Sequence, residues 1–525
     1  MAADPSTPHR LAKALLVLAA VSCRAPAPPV QVAPAAPPVA EDFRAQVPAS
    51  VPAAPLHLPE VRRRLMANGL QVLVTPKPGL PLVAAQLVVR SGSAQDPEDL
   101  PGLASFVAAM LRSGTHKRSA HAIAEQTENL GTSIDVSVDE DAMVVGFVCL
   151  REHFAELFDI LADVCLHPRF APDEVERKRR QLLGQIRQDE DEPTAAAASV
   201  FRRALYGHHP YAHPVLGDKA AAARIGRADL VGHWRTHVQP GNAALVFTGD
   251  LSEEQGWAAA QRGFGLWHGS ARAQAAVADP QGAAPDLRLV DRPASTQSTL
   301  LVGVLGAHRQ DPDFYPLIVL NSILGGSFNS RINMNLREDK GYTYGAFSHF
   351  RFPRSRGHFE VHTRVRSDVT AAALKEILAE VEGMRQRDAS AGELADAKNR
   401  YVLSIPSSLQ TVGSLAGQVT SLYVHDLPLD ELAHLPERIG RVTVEDVRRL
   451  AHQILDPAQL QVVVVGDGAS IRPALEQLGR GPVKLALPSG ELAADALKRA
   501  PNAGADPADQ RHPAGGAATG RARGR

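Results

Sequence analysis

Apolar residues recur at helical spacing between residues 102 and 115. One stripe of this segment comprises Leu103, Phe106, Val107, Met110 and Leu111. This period predicts a helix whose apolar face packs into a core. The neighbouring stripe of the same helix carries Ser105, Ala108 and Ala109, which have no ionisable group.

Shorter apolar runs predict a sheet and further helices in the first half of the chain. Residues 62–66 and 70–75 form a predicted hairpin around Asn68 and Gly69, a pair that favours a tight turn. Further strands are predicted at 82–90, 133–138 and 142–150, and further helices at 120–130, 152–165, 172–188 and 194–205. Strands and helices are grouped instead of strictly alternating, which favours an α+β fold with an antiparallel or mixed sheet.

The second half of the chain repeats this plan. A buried strand pattern ending in Gly-Asp occupies residues 242–250 and occurs again at 459–467, an offset of 217 residues. A helix pattern precedes each copy, at 227–234 and 444–451, and a proline lies between helix and strand in both. Matching signals at a fixed offset predict two homologous domains.

Composition is that of a globular protein and excludes one class of partner. The 525 residues are 44% hydrophobic and 22% charged, with a formal net charge of −1. The length predicts at least two domains, and the balanced charge gives no electrostatic case for a nucleic-acid partner. We assign the domains to residues 59–270 and 286–488, with an Ala/Gln/Gly-rich linker at 271–285.

The ends of the chain have a different character. Arg10 and Lys13 precede a short apolar run, so residues 1–23 are interpreted as a signal peptide. Residues 20–23 resemble a bacterial lipobox, in which Cys23 would be lipidated; the alternative is ordinary cleavage nearby with a soluble product. A Pro/Ala-rich spacer is predicted at 24–58 and a disordered tail at 489–525. These features predict a periplasmic protein, attached to a bacterial membrane only by a lipid anchor at Cys23.

Two cysteines lie inside the first domain, Cys149 in a strand pattern and Cys165 in a helical one. In an oxidising periplasm they could form a disulfide, whereas two buried free thiols are an equal alternative.

Residues 102–115, Gly-Leu-Ala-Ser-Phe-Val-Ala-Ala-Met-Leu-Arg-Ser-Gly-Thr, resemble the zinc-binding signature of the M16 metallopeptidase family. In that family the inverted motif H-x-x-E-H supplies two metal ligands and a catalytic glutamate. The resemblance places Ser105 and Ala109 at the histidine positions and Ala108 at the glutamate. A second stretch, 181–193, places Gln185 at the third ligand position. Because zinc prefers histidine, cysteine or carboxylate, the resemblance implies that this chain has lost its metal site and binds no cofactor of its own.

The resemblance spans about residues 60–470 and implies two M16-like α+β domains, each with a mixed, mostly antiparallel sheet packed against helices. A second segment with a specific match to the family lies at residues 324–344, which we name the Arg–Tyr block. This block resembles the family's L-G-G-x-x-x-S-R-L-x-x-x-L-R-E-x-x-G-x-x-Y segment and implies that Arg337, Tyr344, Gly325 and Gly326 contact substrate. A guanidinium and a phenol can hydrogen-bond a peptide carbonyl. The alternative is structural: Arg337 pairs with Glu338 or Asp339, and the glycines only form a turn.

The histidines outside these motifs favour structural roles. His233 and His237 lie one helical turn apart with no carboxylate between them to act as a base. His208, His209 and His213 lie in a proline-rich segment typical of a packed turn. We therefore predict no metal ligands among them.

Together these features predict a non-catalytic subunit of a heterodimeric M16 peptidase. Its partner would be an M16 subunit with an intact H-x-x-E-H motif, which would carry the zinc. An unfolded peptide substrate would add to a sheet edge as an extended strand. The alternative is a peptide-binding or structural M16-like scaffold with no peptidase partner, similar to core proteins of respiratory complexes. An active enzyme with an unorthodox site is a third, weaker alternative, because no other cluster of ligands is evident.

Overall fold

A computed structural model of the chain describes residues 60–270 and 277–495. These residues form two six-stranded sheets. The first sheet contains β1 (Arg62–Leu65), β2 (Gln71–Pro76), β3 (Leu82–Val89), β4 (Asp135–Val138), β5 (Met143–Leu150) and β6 (Ala243–Gly249). The second contains β7 (Leu287–Asp291), β8 (Gln297–Leu305), β9 (Ala346–Arg351), β10 (His358–Arg366), β11 (Gln461–Gly466) and β12 (Val483–Leu485).

Helices pack on both sheets. In the first half they are α1 (Leu103–Leu111), α2 (Ala120–Asn129), α3 (Phe154–Leu166), α4 (Pro172–Asp191), α5 (Pro193–Tyr206), α6 (Lys219–Arg224), α7 (Arg227–His237) and α8 (Glu253–Phe264). In the second half they are α9 (Phe314–Leu324), α10 (Arg331–Asn333), α11 (Thr370–Gln386), α12 (Ala391–Ser408), α13 (Val412–Val424), α14 (Glu431–Gly440), α15 (Val444–Ile454) and α16 (Gly468–Glu476). No helix in the described ranges combines the length and apolarity that a membrane crossing requires.

The two sheets share five strands in the same spatial order. The first runs β1-β2-β6-β3-β5-β4 and the second β12-β7-β11-β8-β10-β9. In each, the strand that ends in Gly-Asp pairs in parallel with the first strand of the shared plan and antiparallel with the second. The predicted α+β fold with two homologous domains and mixed sheets is therefore confirmed. The sixth strand differs, because β1 joins through the Asn68–Gly69 hairpin and β12 comes from the end of the domain.

Each sheet is covered on one face by a helix from the other half. Helix α5 of the first half packs on β8 and β11, where Val200 and Phe201 join a core with Leu301 and Val463. Helix α13 of the second half packs on β3 and β6 of the first sheet. Each half therefore contributes a helix to the hydrophobic core of the other half, and the two halves share these cores.

Parts of the predicted linker and tail belong to this folded body. Asp279, in the predicted linker, accepts a hydrogen bond from Ser355 Oγ at 3.0 Å. Ala486 forms a β-bridge with Leu492, so residues beyond the predicted boundary at 488 also contact the folded body. The predicted signal peptide, the predicted lipidation site Cys23 and the predicted spacer lie outside the described residues.

Cys149 and Cys165 are buried free thiols in the structure. Burial raises the pKa of Cys149 to about 12. The structure therefore agrees with the alternative of two buried free thiols and not with a disulfide. Both are poor nucleophiles, because a buried thiol forms little thiolate.

Candidate functional site

Helix α1 carries three of the four positions at which the family resemblance places metal-binding or catalytic groups. Ser105 donates from Oγ to the carbonyl oxygen of Val215 at 2.6 Å, so its hydroxyl is used inside the protein. Ala108 is 4% exposed and belongs to the core under the first sheet. Ala109 is half-buried. Ser105 and Ala108 therefore use their side chains inside the protein, whereas Ala109 stays partly accessible.

Gln185 supplies the fourth position from α4, which packs against α1. Its side chain is exposed, and Nε2 donates to Asp189 Oδ1 one turn further along the same helix, at 2.8 Å. The structure thus brings together the helices that carry Ser105, Ala108, Ala109 and Gln185, which we name the lost metal site. These four side chains offer a hydroxyl, two methyl groups and an amide.

The lost metal site does not fit zinc. A zinc site needs three or four histidine, cysteine or carboxylate ligands. Across residues 60–270 and 277–495, no group of three such side chains is arranged to hold a metal ion. The four side chains of the lost metal site therefore supply no ligand set that zinc prefers, and none of the steps below uses a metal held by them.

Asp96 fixes the start of α1 and was not found from the sequence. Its carboxylate accepts hydrogen bonds from the backbone N–H of Gly102 at 2.7 Å and of Ala104 at 2.8 Å. Burial raises the pKa of Asp96 to about 7, and these backbone hydrogen bonds oppose that rise. An aspartate before a helix is a capping signal, but its distance of seven residues from Leu103 hides the relationship.

The remaining histidines have structural surroundings. Burial, with a smaller contribution from His237, lowers the pKa of His233 to about 3, and the two rings lie 4.3 Å apart. His209 hydrogen-bonds the carbonyl oxygen of Ala278 through Nε2 at 2.7 Å, and burial lowers its pKa. His213 bonds the carbonyl oxygen of Pro214 through Nδ1 at 3.0 Å.

Arg337 lies in a π-helical turn, Met334–Asp339, that continues the short helix α10. Such turns are rare and frequently occur at functional sites. The guanidinium lies 4.4 Å from the centre of the Phe328 ring, and Nε is 3.2 Å from Glu338 Oε1. The predicted pairing with Glu338 is therefore present, and the stack on Phe328 holds the guanidinium in one place.

Tyr344 is 94% exposed. The neighbouring residue Thr343 fixes the loop, because its Oγ1 donates to the carbonyl oxygen of Arg364 at 2.7 Å and accepts from Gly345 N at 3.1 Å. Because an ordered loop holds the ring in solvent, both the ring and its hydroxyl are accessible to another molecule.

Gly325 and Gly326 are required for close packing in the Arg–Tyr block. A Cβ on Gly325 would lie 2.8 Å from Ser348 Cβ, and Ser348 N donates to the carbonyl oxygen of Gly325 at 2.8 Å. A Cβ on Gly326 would lie 2.9 Å from the carbonyl oxygen of Asn321. These contacts account for both glycines, and their role in substrate binding stays a prediction.

Comparison with known proteins matches both halves of this arrangement. Residues 71–219, which include α1 and α4, match the model of the insulinase family of peptidases, M16. Residues 224–401, which include the Arg–Tyr block, match the model described as the peptidase M16 inactive domain.

The chain belongs to the M16 peptidase family.

Several curated relatives of the chain are named as uncharacterised zinc proteases. An uncharacterised zinc protease, YmxG of Bacillus subtilis, is 24% identical over 75% of this chain and 95% of its own length. The crystal structure of a peptidase M16 inactive domain from Pseudomonas fluorescens is 28% identical, covers 77% of this chain and 98% of its own, and has a TM-score of 0.72. A chain of complex III from Candida albicans shares the fold, with a TM-score of 0.67, 15% identity and coverage of 80% and 99%.

Proposed function

We propose that this M16 protein is the non-catalytic subunit of a heterodimeric zinc peptidase. The observation that carries the proposal is a contrast inside one chain. Ser105, Ala108, Ala109 and Gln185 remove the ligands and base of the first half, whereas Tyr344 of the second half is presented to solvent by an ordered loop. The zinc and its catalytic glutamate would come from a partner subunit with an intact H-x-x-E-H motif.

In this proposal Arg337 and Tyr344 bind the peptide backbone of an unfolded substrate. The guanidinium keeps donors to spare beyond its contact with Glu338, since it has five N–H groups. The phenol of Tyr344 is unobstructed and can donate to a carbonyl oxygen. These two donors orient a peptide carbonyl and steady negative charge that develops on its oxygen during hydrolysis.

The exposed apolar side chains of the Arg–Tyr block also support a partner. Phe328 is 47% exposed and Met334 is 37% exposed, in the same segment as Tyr344. Aromatic side chains, methionine and arginine are enriched where protein surfaces meet. We therefore infer that this segment faces the chamber between two subunits.

The test is reconstitution with an H-x-x-E-H-bearing M16 subunit from the same genome. The chain alone should bind no stoichiometric zinc and cleave no peptide, and co-expression should give a co-purifying, active pair. Arg337→Ala should then lower turnover by about a hundredfold, as removal of an oxyanion donor does. Arg400→Ala, on the exposed side of α12, is the matched control and should leave turnover unchanged. Equal activity of the Arg337→Ala and wild-type pairs would refute the assigned role.

A scaffold without a peptidase partner is the second candidate function. It is favoured by the internal contacts of Arg337 with Glu338 and Phe328 and by the packing role of Gly325 and Gly326. Under this alternative the chain purifies with no M16 mate, and Tyr344→Ala changes the set of bound proteins without changing any peptidase activity. The gel-filtration profile and the proteins that co-purify therefore separate the two candidates.

We further propose a periplasmic location with lipid attachment at Cys23. The support is the sequence pattern of residues 1–23 and the spacer that follows. Mass spectrometry of the mature N-terminus should find a diacylglyceryl cysteine, and Cys23→Ala should release the protein into the soluble periplasmic fraction. A mature chain without Cys23 would refute the attachment.

A further inference from the structure

A cluster of positive charge lies beside the lost metal site. Lys178 and Arg177 are on α4, and Arg112 follows the last residue of α1. Arg112 is seven residues from Ser105 and Lys178 is seven from Gln185, so each lies near the face of its helix that carries the lost metal site. We name Arg112, Arg177 and Lys178 the cationic pocket.

Lys178 has no counter-ion of its own. It is half-buried, and its ammonium makes no hydrogen bond or ion pair with any residue in the described ranges. The nearby carboxylate of Glu174 is taken by Arg177, whose Nε lies 2.9 Å from Glu174 Oε2. Burial, then the charges of Arg177 and Arg112, lower the pKa of Lys178. A half-buried ammonium beside two guanidinium groups is unfavourable in isolation, and an anion would relieve it.

The cationic pocket adjoins an open sheet edge. Strand β4 is the last strand of the first sheet, and no strand within the described part of the chain pairs with its outer side. Helix α1 packs against β4, and Arg112 Nη1 donates to the carbonyl oxygen of Ile134, the residue before β4, at 3.1 Å. Arg112 is thereby held at the start of this edge with other N–H donors free.

We propose that the cationic pocket binds a carboxylate of an extended peptide that lies along β4. This inference rests on the proposed function, because it takes an unfolded peptide as the ligand, and it adds a preference for acidic peptides. The seven residues from Gln185 to Lys178 span about 10 Å of helix. That length equals about three residues of an extended chain, so a peptide that passes the lost metal site reaches Lys178 within three residues.

The low net charge of the chain and the open strand edge together distinguish this surface from a basic surface that attracts any anion. The net charge of the whole chain is −1, so attraction of any anion by overall charge is absent. Free phosphate lacks the backbone groups that an open strand edge pairs with, whereas an extended peptide supplies them together with the carboxylate. The carboxylate can belong to an aspartate or glutamate side chain or to the C-terminus of the peptide.

The test is direct binding of labelled peptides to the purified full chain, measured by fluorescence anisotropy. Seven-residue peptides of alternating Thr and Val, acetylated and amidated, carry Asp, Asn or Lys at the centre. We expect the Asp peptide to bind about tenfold more tightly than the Asn peptide, the scale of a charge-assisted hydrogen bond. A fourth peptide with neutral side chains and a free C-terminus shows whether a terminal carboxylate also occupies the pocket.

Two variants locate the effect. Lys178→Gln should abolish the preference for Asp over Asn, whereas Arg180→Gln, which removes one positive charge from an exposed position on the same helix, should keep it. Lys178→Gln should not lower the melting temperature of the wild type, since the ammonium has no partner to lose and two like charges beside it. Equal affinity of the wild type for the Asp and Asn peptides would overturn the proposal, and so would binding of none of the four peptides or an equal loss of preference in Arg180→Gln. Equal affinity for both peptides leaves peptide binding and the heterodimer intact, because the heterodimer is tested by co-purification.

Discussion

The lost metal site and the Arg–Tyr block differ in where some of their side chains point: into the protein at Ser105 and Ala108 of the first and into solvent at Tyr344 of the second. In the first, the hydroxyl of Ser105 donates to an internal carbonyl and the methyl group of Ala108 is part of the core. In the second, the ring of Tyr344 is almost fully in solvent and an ordered loop holds it there. In the first half the polar group and the most buried methyl group are turned into the protein, while the second half presents an aromatic side chain outward.

This difference separates loss of chemistry from loss of structure. Helix α1 is still capped by Asp96, and α1 and α4 still pack against each other. The side chains at the positions that would hold metal or move a proton are replaced, while the helices that carry them keep their packing. The following predictions test how firmly the first site is closed and how freely the second is exposed.

The largest effect is expected from restoring the glutamate in the first half. Ala108→Glu places a carboxylate in the core under the first sheet, at a position that is only 4% exposed, so the charge would lose most of its hydration. We expect a loss of about 3–5 kcal/mol in the free energy of unfolding, measured by urea denaturation. Ala109→Glu is the matched control, because Ala109 is half-buried, and it should cost far less. Similar stability of both variants would show that the site is still open.

A smaller effect is expected from the glycine pair of the Arg–Tyr block. Gly325→Ala brings a methyl group to 2.8 Å from Ser348 Cβ and should cost about 1–3 kcal/mol. Gly417→Ala, in α13 with no atom within 4 Å of the new Cβ, should instead gain up to about 1 kcal/mol. Thermal unfolding of the two variants compares their stabilities. If Gly325→Ala were as stable as the wild type, the glycine pair would have no packing role.

The third prediction concerns the pH dependence of stability through Asp96. Its pKa is about 7 in the folded chain, against an ordinary value of 3.8, so the folded state holds the proton more tightly than the unfolded state. The free energy of unfolding should therefore fall as the pH rises from about 4 to about 7. Asp96→Asn should make this fall shallower, at the cost of about 1 kcal/mol from a weakened helix cap.

The control for this measurement is Asp396→Asn, on the exposed side of α12, which should keep the slope of the wild type. Part of the slope should remain in Asp96→Asn, because burial also raises the pKa of Asp139, to about 6. An unchanged slope in Asp96→Asn would mean that Asp96 is ionised in the folded chain throughout this range.

The smallest effect on stability is expected at the most exposed side chain. Tyr344→Ala should change the free energy of unfolding by less than about 0.5 kcal/mol, since the ring has almost no contacts to lose. Chemical denaturation monitored by circular dichroism checks this. A large loss of stability would place the ring in the fold of the subunit and remove the contrast with Ala108.

The sequence predicted the secondary structure closely where the local signal was strong. The Asn68–Gly69 hairpin, the core-facing helix α1 and the two Gly-Asp strands lie where their patterns placed them. It could not predict that α5 packs on the second sheet, because the apolar period of a helix shows which face is buried and not against what.

In the candidate sites, too, some features could be predicted from the sequence and others could not. The positions of the missing ligands followed from the resemblance to the M16 signature, and helical spacing added that residues three and four apart share a helix face. The cap by Asp96 was missed because a loop brings it back to the helix from seven residues away. Likewise, the packing of Gly325 against Ser348 joins residues on different elements, which no local pattern records.

The covering of each sheet by a helix from the other half has a consequence for how such a chain can change over time. Without α13, the faces of β3 and β6 that α13 covers would be open to water, and without α5 the same holds for β8 and β11. Deleting the first half would therefore expose a core face of the second sheet and unfold the second half. During evolution such a chain can lose the metal ligands of one half by point substitution. It cannot lose either half as a whole.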